Sequence, residues 1–299
     1  MRVRTGTARS GELDIHYEDM GDPNDPAVLL VMGLGAQLLL WRMGFCEKLV
    51  NQGLRVIRFD NRDVGLSSKV TGQRTGPLLP RMARSVAGRP SPAPYTLEDM
   101  ADDAAALLDH LGIDAAHVVG GSMGGMIAQV FAARHQPRTK TLGVIFSSNN
   151  QAALPPPGLR QLAAILQPPK GSDRESVIQN AVRVSRIIGS PGYPASEERL
   201  RADAIEGYDR SYYPAGVGRH FAAILGSGSL RRYDRQITAP TVVIHGKADK
   251  LMRPSGGRAI ARAIPHARLV LFDGMGHDLP EPLWDDIVGE LKTTFAEHY

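Results

Sequence analysis

The chain has 299 residues, 42% hydrophobic and 22% charged, with 32 glycines, 21 prolines and a single cysteine. That length holds one large domain or two small ones, and the apolar share is too high for a disordered or collagen-like chain. Cys46 alone excludes an intramolecular disulfide framework and a thiolate metal cluster, and a formal charge of +4 is too small an excess to argue for a polyanionic partner.

The N-terminus, Met1-Arg2-Val3-Arg4, turns polar at once and lacks the apolar core of a signal peptide. Segments Arg2–Thr7 and Leu13–Glu18 alternate polar and apolar residues and predict an antiparallel edge hairpin. Ala27 to Trp41 is the most apolar stretch. Gly33, Gly35 and Gln37 interrupt it, and it is shorter than the ~20 residues of a membrane-spanning helix. No transmembrane segment and a cytoplasmic location are therefore expected. Val28–Met32 reads as a buried strand, followed by a helix from Leu38 to Asn51 and a second strand from Arg55 to Asp60.

Lys69 to Tyr95 is rich in proline and glycine and predicts a long surface loop. A helix follows over Leu97–Leu111, with Thr96 as its N-cap and Gly112 just past its end. Next come a strand at His117–Gly120, a helix over Met123–His135 and a strand at Leu142–Phe146. Strands at Thr241–His245 and Arg268–Phe272 resume the pattern, with helices from Ser255 and Glu281. Between them lies an interruption from Asn150 to Gln236, opened by Pro155-Pro156-Pro157-Gly158 and otherwise mostly helical. Continuous β-branched runs alternating with helices imply an α/β fold, a mostly parallel eight-stranded sheet covered on both faces. We expect a core formed by residues 1–149 and 237–299, and an inserted helical cap at 150–236. Two arginine groups, at Arg81, Arg84 and Arg89 and at Arg231, Arg232 and Arg235, are interleaved with proline and acid. They read as solvated surface, so no nucleic-acid partner is expected.

Gly120-Gly121-Ser122-Met123-Gly124 fits G-x-S-x-G, a weak signal alone. Its setting strengthens it, because a buried strand enters the turn and an amphipathic helix leaves it. A sharp strand-to-helix turn would present Ser122 at the carboxyl edge of the sheet and at a helix N-terminus, where backbone N–H groups favour negative charge. A glycine-rich helix cap is the bland alternative. A serine hydroxyl needs a base, itself held by a third group. Of the later histidines, His266 precedes its strand and His298 lies in the C-terminal tail. His277 directly follows the strand ending at Phe272, at the same edge as the serine, and is assigned as the base. His245 competes because it also ends a strand, but it precedes the acid in chain order. Asp249, on the loop after Thr241–His245, is the favoured acid, with Asp273 as runner-up.

Acyl transfer also requires donors for an oxyanion. One is the backbone N–H of Met123, after the nucleophile. The other is expected from the loop Gly33-Leu34-Gly35-Ala36, at Leu34. A dinucleotide-binding reading of Gly33-x-Gly35 fails because Leu38 stands at the third glycine position. Trp41, Tyr193, Tyr212 and Leu279 are candidate pocket residues, with Tyr208, Tyr213 and Phe221 further candidates in the cap.

Together, Met32-Gly33-Leu34-Gly35, Asp60 to Ser67, the serine elbow, Gly246-x-x-Asp249 and Gly274-Met275-Gly276-His277 resemble the α/β-hydrolase superfamily over essentially the whole chain. Within it they resemble the bacterial esterase branch that includes aclacinomycin methylesterase and the enol-lactonases. The resemblance implies a serine esterase with Ser122 as nucleophile, Asp249 as acid, His277 as base and the Leu34 and Met123 amides as oxyanion donors. It implies a small ester as substrate, with no metal or organic cofactor. Lactone, thioester, C–C bond or perhydrolase chemistry would use the same residues, and a ligand receptor on the hydrolase fold is the alternative of another class. Two positions depart from the pattern. Met32 stands where a histidine usually precedes the first glycine, and Asp63 stands where a glycine often follows the arginine. Asp60 and Arg62 are expected to form a structural pair.

Overall fold

The structure, a computed structural model, describes residues 1–72, 76–86 and 89–297, which leaves His298 outside the described residues. A hairpin of β1 (Val3–Ser10) and β2 (Leu13–Met20) opens the chain, followed by β3 (Ala27–Val31), α1 (Met43–Val50), β4 (Arg55–Phe59), α2 (Leu78–Val86) and α3 (Leu97–His110). Then β5 (Ala116–Gly121), α4 (Met123–Arg134) and β6 (Thr139–Ile145) lead into a helical stretch. It comprises α5 (Leu159–Leu166), α6 (Arg174–Ile188), α7 (Glu197–Arg210), α8 (Pro214–Ser227) and α9 (Arg231–Asp234). The chain returns to the sheet through β7 (Thr241–Gly246), α10 (Pro254–Ala263), β8 (Arg268–Phe272) and α11 (Trp284–Ala296).

The eight strands form one sheet in the order β1-β2-β4-β3-β5-β6-β7-β8. β1 and β2 pair antiparallel, as do β2 and β4, and every later pairing is parallel. Side chains of a strand alternate between faces, and here the alternation divides the core in two. Leu29, Val31, Ile57, Val118 and Val144 point to the face covered by α3 and α4. Val28, Leu30, Val56, Val119 and Ile244 point to the face covered by α1 and α11. Both faces are dry, which is why the central strands read as unbroken apolar runs. Parallel order places the exits of β3, β5, β7 and β8 along one edge.

Two expectations are corrected. The helix expected over Leu38–Asn51 is a 3-10 turn, Leu38–Leu40, then a break and α1. Neighbouring side chains take the backbone groups that a continuous helix would use. Arg58 donates to the carbonyls of Leu38 and Trp41, which a continuous helix would give to the N–H groups of Arg42 and Phe45, while the buried Asp60 carboxylate caps the segment by accepting the Leu38 N–H at 2.8 Å. The segment from Lys69 to Tyr95 is not simply a surface loop. It contains α2, and Tyr95 at its end is buried, donating its hydroxyl proton to Asp63 at 2.6 Å.

Where the helical stretch rejoins the sheet, Asp234 at the end of α9 is fully buried. Its carboxylate accepts one hydrogen bond, from Asn149 Nδ2 at 2.8 Å, and Oδ1 has no partner among the described residues. Burial, only partly offset by the Asn149 bond, pushes this carboxyl up to about 7. From about pH 4 to 7 the folded chain therefore keeps a proton that the unfolded chain releases, so stability is lost as pH rises through that window. Asp234→Asn should remove the loss and stabilise the protein at pH 8 by on the order of 3 kcal/mol, with little gain at pH 4. Urea unfolding at the two pH values checks this. An equal effect at both would refute it.

Candidate active site

β5 ends in the turn that carries Ser122, whose φ of 56° lies in the left-handed region. Such a conformation costs a non-glycine residue about 1–3 kcal/mol and persists only where neighbours over-determine it. Here the Ser122 N–H donates to the Ile145 carbonyl at 3.0 Å, and the Ser122 carbonyl accepts from Ser147 Oγ at 2.6 Å and from the Gly125 N–H at 3.0 Å. The flanking glycines are steric necessities. A Cβ on Gly120 would stand 2.2 Å from the Gly124 carbonyl oxygen, and one on Gly124 would stand 2.1 Å from the Val31 carbonyl oxygen. The elbow thus presses against the end of β3.

Three loops bring three polar side chains together. His277 Nε2 lies 2.9 Å from Ser122 Oγ, and His277 Nδ1 lies 2.8 Å from Asp249 Oδ2. The other carboxylate oxygen of Asp249 accepts the backbone N–H groups of Leu251 and Met252, at 2.8 and 2.9 Å. Asp249 is only 2% exposed, and burial opposes its charge. The imidazole of His277 and hydrogen bonds from His245 and His277 outweigh that penalty and hold the carboxyl at about 2. The carboxylate is therefore ionised at neutral pH and fixes the Nδ1–H tautomer of His277, leaving the Nε2 lone pair facing Ser122 Oγ.

The remaining candidates lie elsewhere. His245 is buried beneath Asp249. Its Nε2 donates to the Met252 carbonyl at 2.6 Å and lies 3.5 Å from Asp249 Oδ2. Asp273 is exposed and pairs with Lys247 at 3.0 Å. His266 precedes β8, at the opposite end of that strand from His277. Among the described residues, no set of three His, Cys, Asp or Glu side chains is arranged to hold a metal ion.

Gly33 follows β3 directly beside the serine, where a Cβ would come within 3.4 Å of Ser122 Oγ. The backbone at the start of the Gly33–Ala36 loop therefore passes Ser122 Oγ closely. Among the described residues, neither the Leu34 N–H nor the Met123 N–H meets a protein acceptor.

The candidate pocket residues divide. Trp41 is fully buried and stacks on Phe45, so it packs the core and presents no open surface. Tyr193 and Leu279 pack at the margin of the same cluster, the Leu279 carbonyl accepting the Trp284 indole N–H at 3.0 Å. Tyr212 is 44% exposed and stacks on Tyr208. Tyr213 accepts a hydrogen bond from Arg219 at 2.9 Å. Phe221 is partly exposed on α8.

Asp60 and Arg62 do not pair with each other, contrary to expectation. Asp60 binds Arg210 at 2.7 Å, and Arg62 binds Asp103 at 2.6 Å. Each carboxylate is fully or almost fully buried and requires its own cation, so adjacency in sequence did not decide the pairing.

Sequence reasoning missed the support behind His277. The Ile188 carbonyl at the end of α6 accepts the His277 N–H at 2.8 Å, and Ser190 Oγ accepts the Gly276 N–H at 2.8 Å while donating to Asp278. A Cβ on Gly276 would stand 2.3 Å from the Gly189 carbonyl oxygen. These partners are more than 80 residues from His277 in the chain, and Ser190 carries no local motif that marks it.

The family profile described as alpha/beta hydrolase fold matches residues 26–281. Rhodomycin D methylesterase DauP of Streptomyces sp. strain C5 is 30% identical over 299 aligned residues, covering 91% of this chain and 93% of that protein. Rhodomycin D methylesterase DnrP of Streptomyces peucetius is 31% identical over 297, with the same coverage. Among solved structures, the enol-lactonase from Burkholderia xenovorans LB400 superposes with a TM-score of 0.73 at 22% identity, covering 97% of this chain and all of that one. No helix among the described residues is long and apolar enough to cross a membrane.

Proposed function

The chain belongs to the alpha/beta hydrolase fold family, and we propose that it is a serine carboxylic-ester hydrolase in which Ser122, His277 and Asp249 are the catalytic residues. The continuous hydrogen-bond chain from Ser122 Oγ through His277 to Asp249 carries this reading. Ser122 Oγ attacks the ester carbonyl carbon as its proton passes to His277 Nε2, and Asp249 stabilises the imidazolium. The Leu34 and Met123 amides hold the oxyanion of the tetrahedral intermediate. Collapse of that intermediate expels the alkoxide, which takes the proton from His277 and leaves an acyl-serine. Water, deprotonated by the same nitrogen, then attacks the acyl carbon; the second tetrahedral intermediate collapses with cleavage of the acyl–Oγ bond, Ser122 Oγ takes the proton back from His277, and the carboxylic acid leaves.

Residues 150–236 are read as a cap on this core, with the end of α6 bonded to the His277 loop and α8 bonded to the Gly33–Ala36 loop. Tyr212 and Tyr193 are its pocket candidates. The methylesterase relatives favour an ester with a small alcohol, so methyl esters are the first substrates to try. Labelling with a fluorophosphonate should modify Ser122 in an intact-mass and peptide-mapping experiment, and a panel of methyl, ethyl and butyl esters should show multiple turnover. An inert serine, or one ligand bound per chain with no turnover, would overturn the assignment in favour of a receptor on the same fold.

A further inference from the structure

Helix α8 reaches two core loops with two consecutive side chains, His220 toward the loop after β3 and Arg219 toward the loop after β4. His220 is fully buried and bonds at both ring nitrogens. Nδ1 accepts the Gly35 N–H at 3.1 Å, and Nε2 lies 2.7 Å from the Arg62 carbonyl. An amide N–H can only donate, so Nδ1 must present a lone pair and Nε2 must carry the proton it gives to Arg62. His220 is therefore the neutral Nε2–H tautomer. Its burial depresses its basicity. The Arg62 bond and Asp63 act in the other direction, and Arg219 and Arg62 reinforce the burial. Tyr95 closes the remaining side, with its ring edge-on to the imidazole.

Arg219 makes the second attachment. Its guanidinium forms a two-pronged bond to the Asp63 carboxylate at 2.8 and 2.7 Å, both side chains being buried. Asp63 has a φ of 69°, a conformation that suits glycine better, and its carboxylate also accepts from Tyr95 and from the Val70 N–H. The helix backbone follows closely. A Cβ on Gly216 would stand 2.0 Å from the Asp63 carbonyl oxygen, and one on Gly35 would stand 2.7 Å from Val217 Cγ2. The inserted helix is thus anchored to two core loops at once, and one of them is the Gly33–Ala36 loop.

We propose that His220 is a positioning residue for the oxyanion loop, accepting the Gly35 amide so that the neighbouring Leu34 amide is held toward the acyl oxygen, with Arg219–Asp63 anchoring the helix that carries it. This rests on the esterase reading for the role of Leu34, but the clamp itself can be measured without turnover. Three variants separate the two hydrogen bonds. His220→Asn can keep an acceptor near the Nδ1 position, His220→Gln can keep a donor near Nε2, and His220→Phe keeps volume and neither bond.

With an activated ester, kcat should fall about 10- to 100-fold in His220→Phe and in His220→Gln, and less than about 5-fold in His220→Asn, with KM changing less than about 3-fold in each. Amide hydrogen exchange over residues 33–37 should accelerate in the Phe and Gln variants and stay slow in Asn. If His220→Phe fails to accumulate, the contrast between Asn and Gln decides. Equal kcat and equal exchange in those two variants would overturn the proposal. A wild-type chain that turns over no ester, yet shows the same exchange pattern, would overturn the esterase reading and leave the clamp standing.

Discussion

Ser122→Ala is expected to lower kcat/KM for an activated ester by at least about 10⁴-fold while leaving the fold intact. The substitution removes one oxygen whose only side-chain partner among the described residues is His277 Nε2 at 2.9 Å, and the backbone bonds that hold the strained turn come from atoms the alanine retains. The φ of 56° is no worse for alanine than for serine, so the melting temperature should shift by less than about 3 °C. Residual activity above a tenth of wild type would remove Ser122 from the chemistry. A loss of activity accompanied by unfolding would require the same measurement on Ser122→Cys, which keeps the side chain's shape and a polar γ-atom next to His277 while removing the hydroxyl.

Asp249→Asn is expected to cost about 10³- to 10⁴-fold in kcat through the tautomer of His277. In the native site one carboxylate oxygen takes two backbone N–H groups and the other takes His277 Nδ1. An asparagine oxygen can replace only one of them. If it stays on the Leu251 and Met252 amides, its NH₂ faces Nδ1 and drives the proton to Nε2, the nitrogen that must accept from Ser122. If the amide flips, its NH₂ opposes two backbone donors, and the Met252 carbonyl already holds the nearby His245 proton. Neither arrangement restores the native relay. The acylation rate from a stopped-flow burst is the direct readout, and a kcat within tenfold of wild type would refute the assignment. His245 is not positioned to substitute, because it touches Asp249 and Met252 rather than the serine.

The elements that were legible in the sequence are those whose constraint is local. The central strands announce themselves because both faces of a covered parallel sheet are apolar. The serine elbow is legible because its two flanking glycines are demanded by backbone contacts of 2.1–2.2 Å, one of them within the motif itself. The positions of Asp249 and His277 follow from strand exits: in a parallel sheet every exit lies on one edge, so a polar residue just past a strand can be placed without knowing any contact. The miss at Leu38–Asn51 has the opposite character. The segment is apolar enough for a helix, but the Asp60 and Arg58 side chains from β4 and its exit claim its backbone groups. The Asp60–Arg62 expectation failed for a similar reason, since their partners, Arg210 and Asp103, come from α7 and α3.

Sequence alone therefore determined the layer architecture, the turn that presents Ser122 and the edge on which an acid and a base would stand, because periodicity, glycine placement and chain order are properties of neighbouring residues. Tertiary structure decided which acid meets His277, sending Asp273 out to Lys247 and turning Asp249 inward. It also decided that α6 supports the His277 loop and that α8 grips the Gly33–Ala36 loop through His220 and the loop after β4 through Arg219. Those contacts join residues 86 to 185 positions apart. Their chemistry is that of single buried hydrogen bonds and ion pairs, which leave no periodic trace in the chain and exist only once the helices between β6 and β7 have packed against the sheet's carboxyl edge.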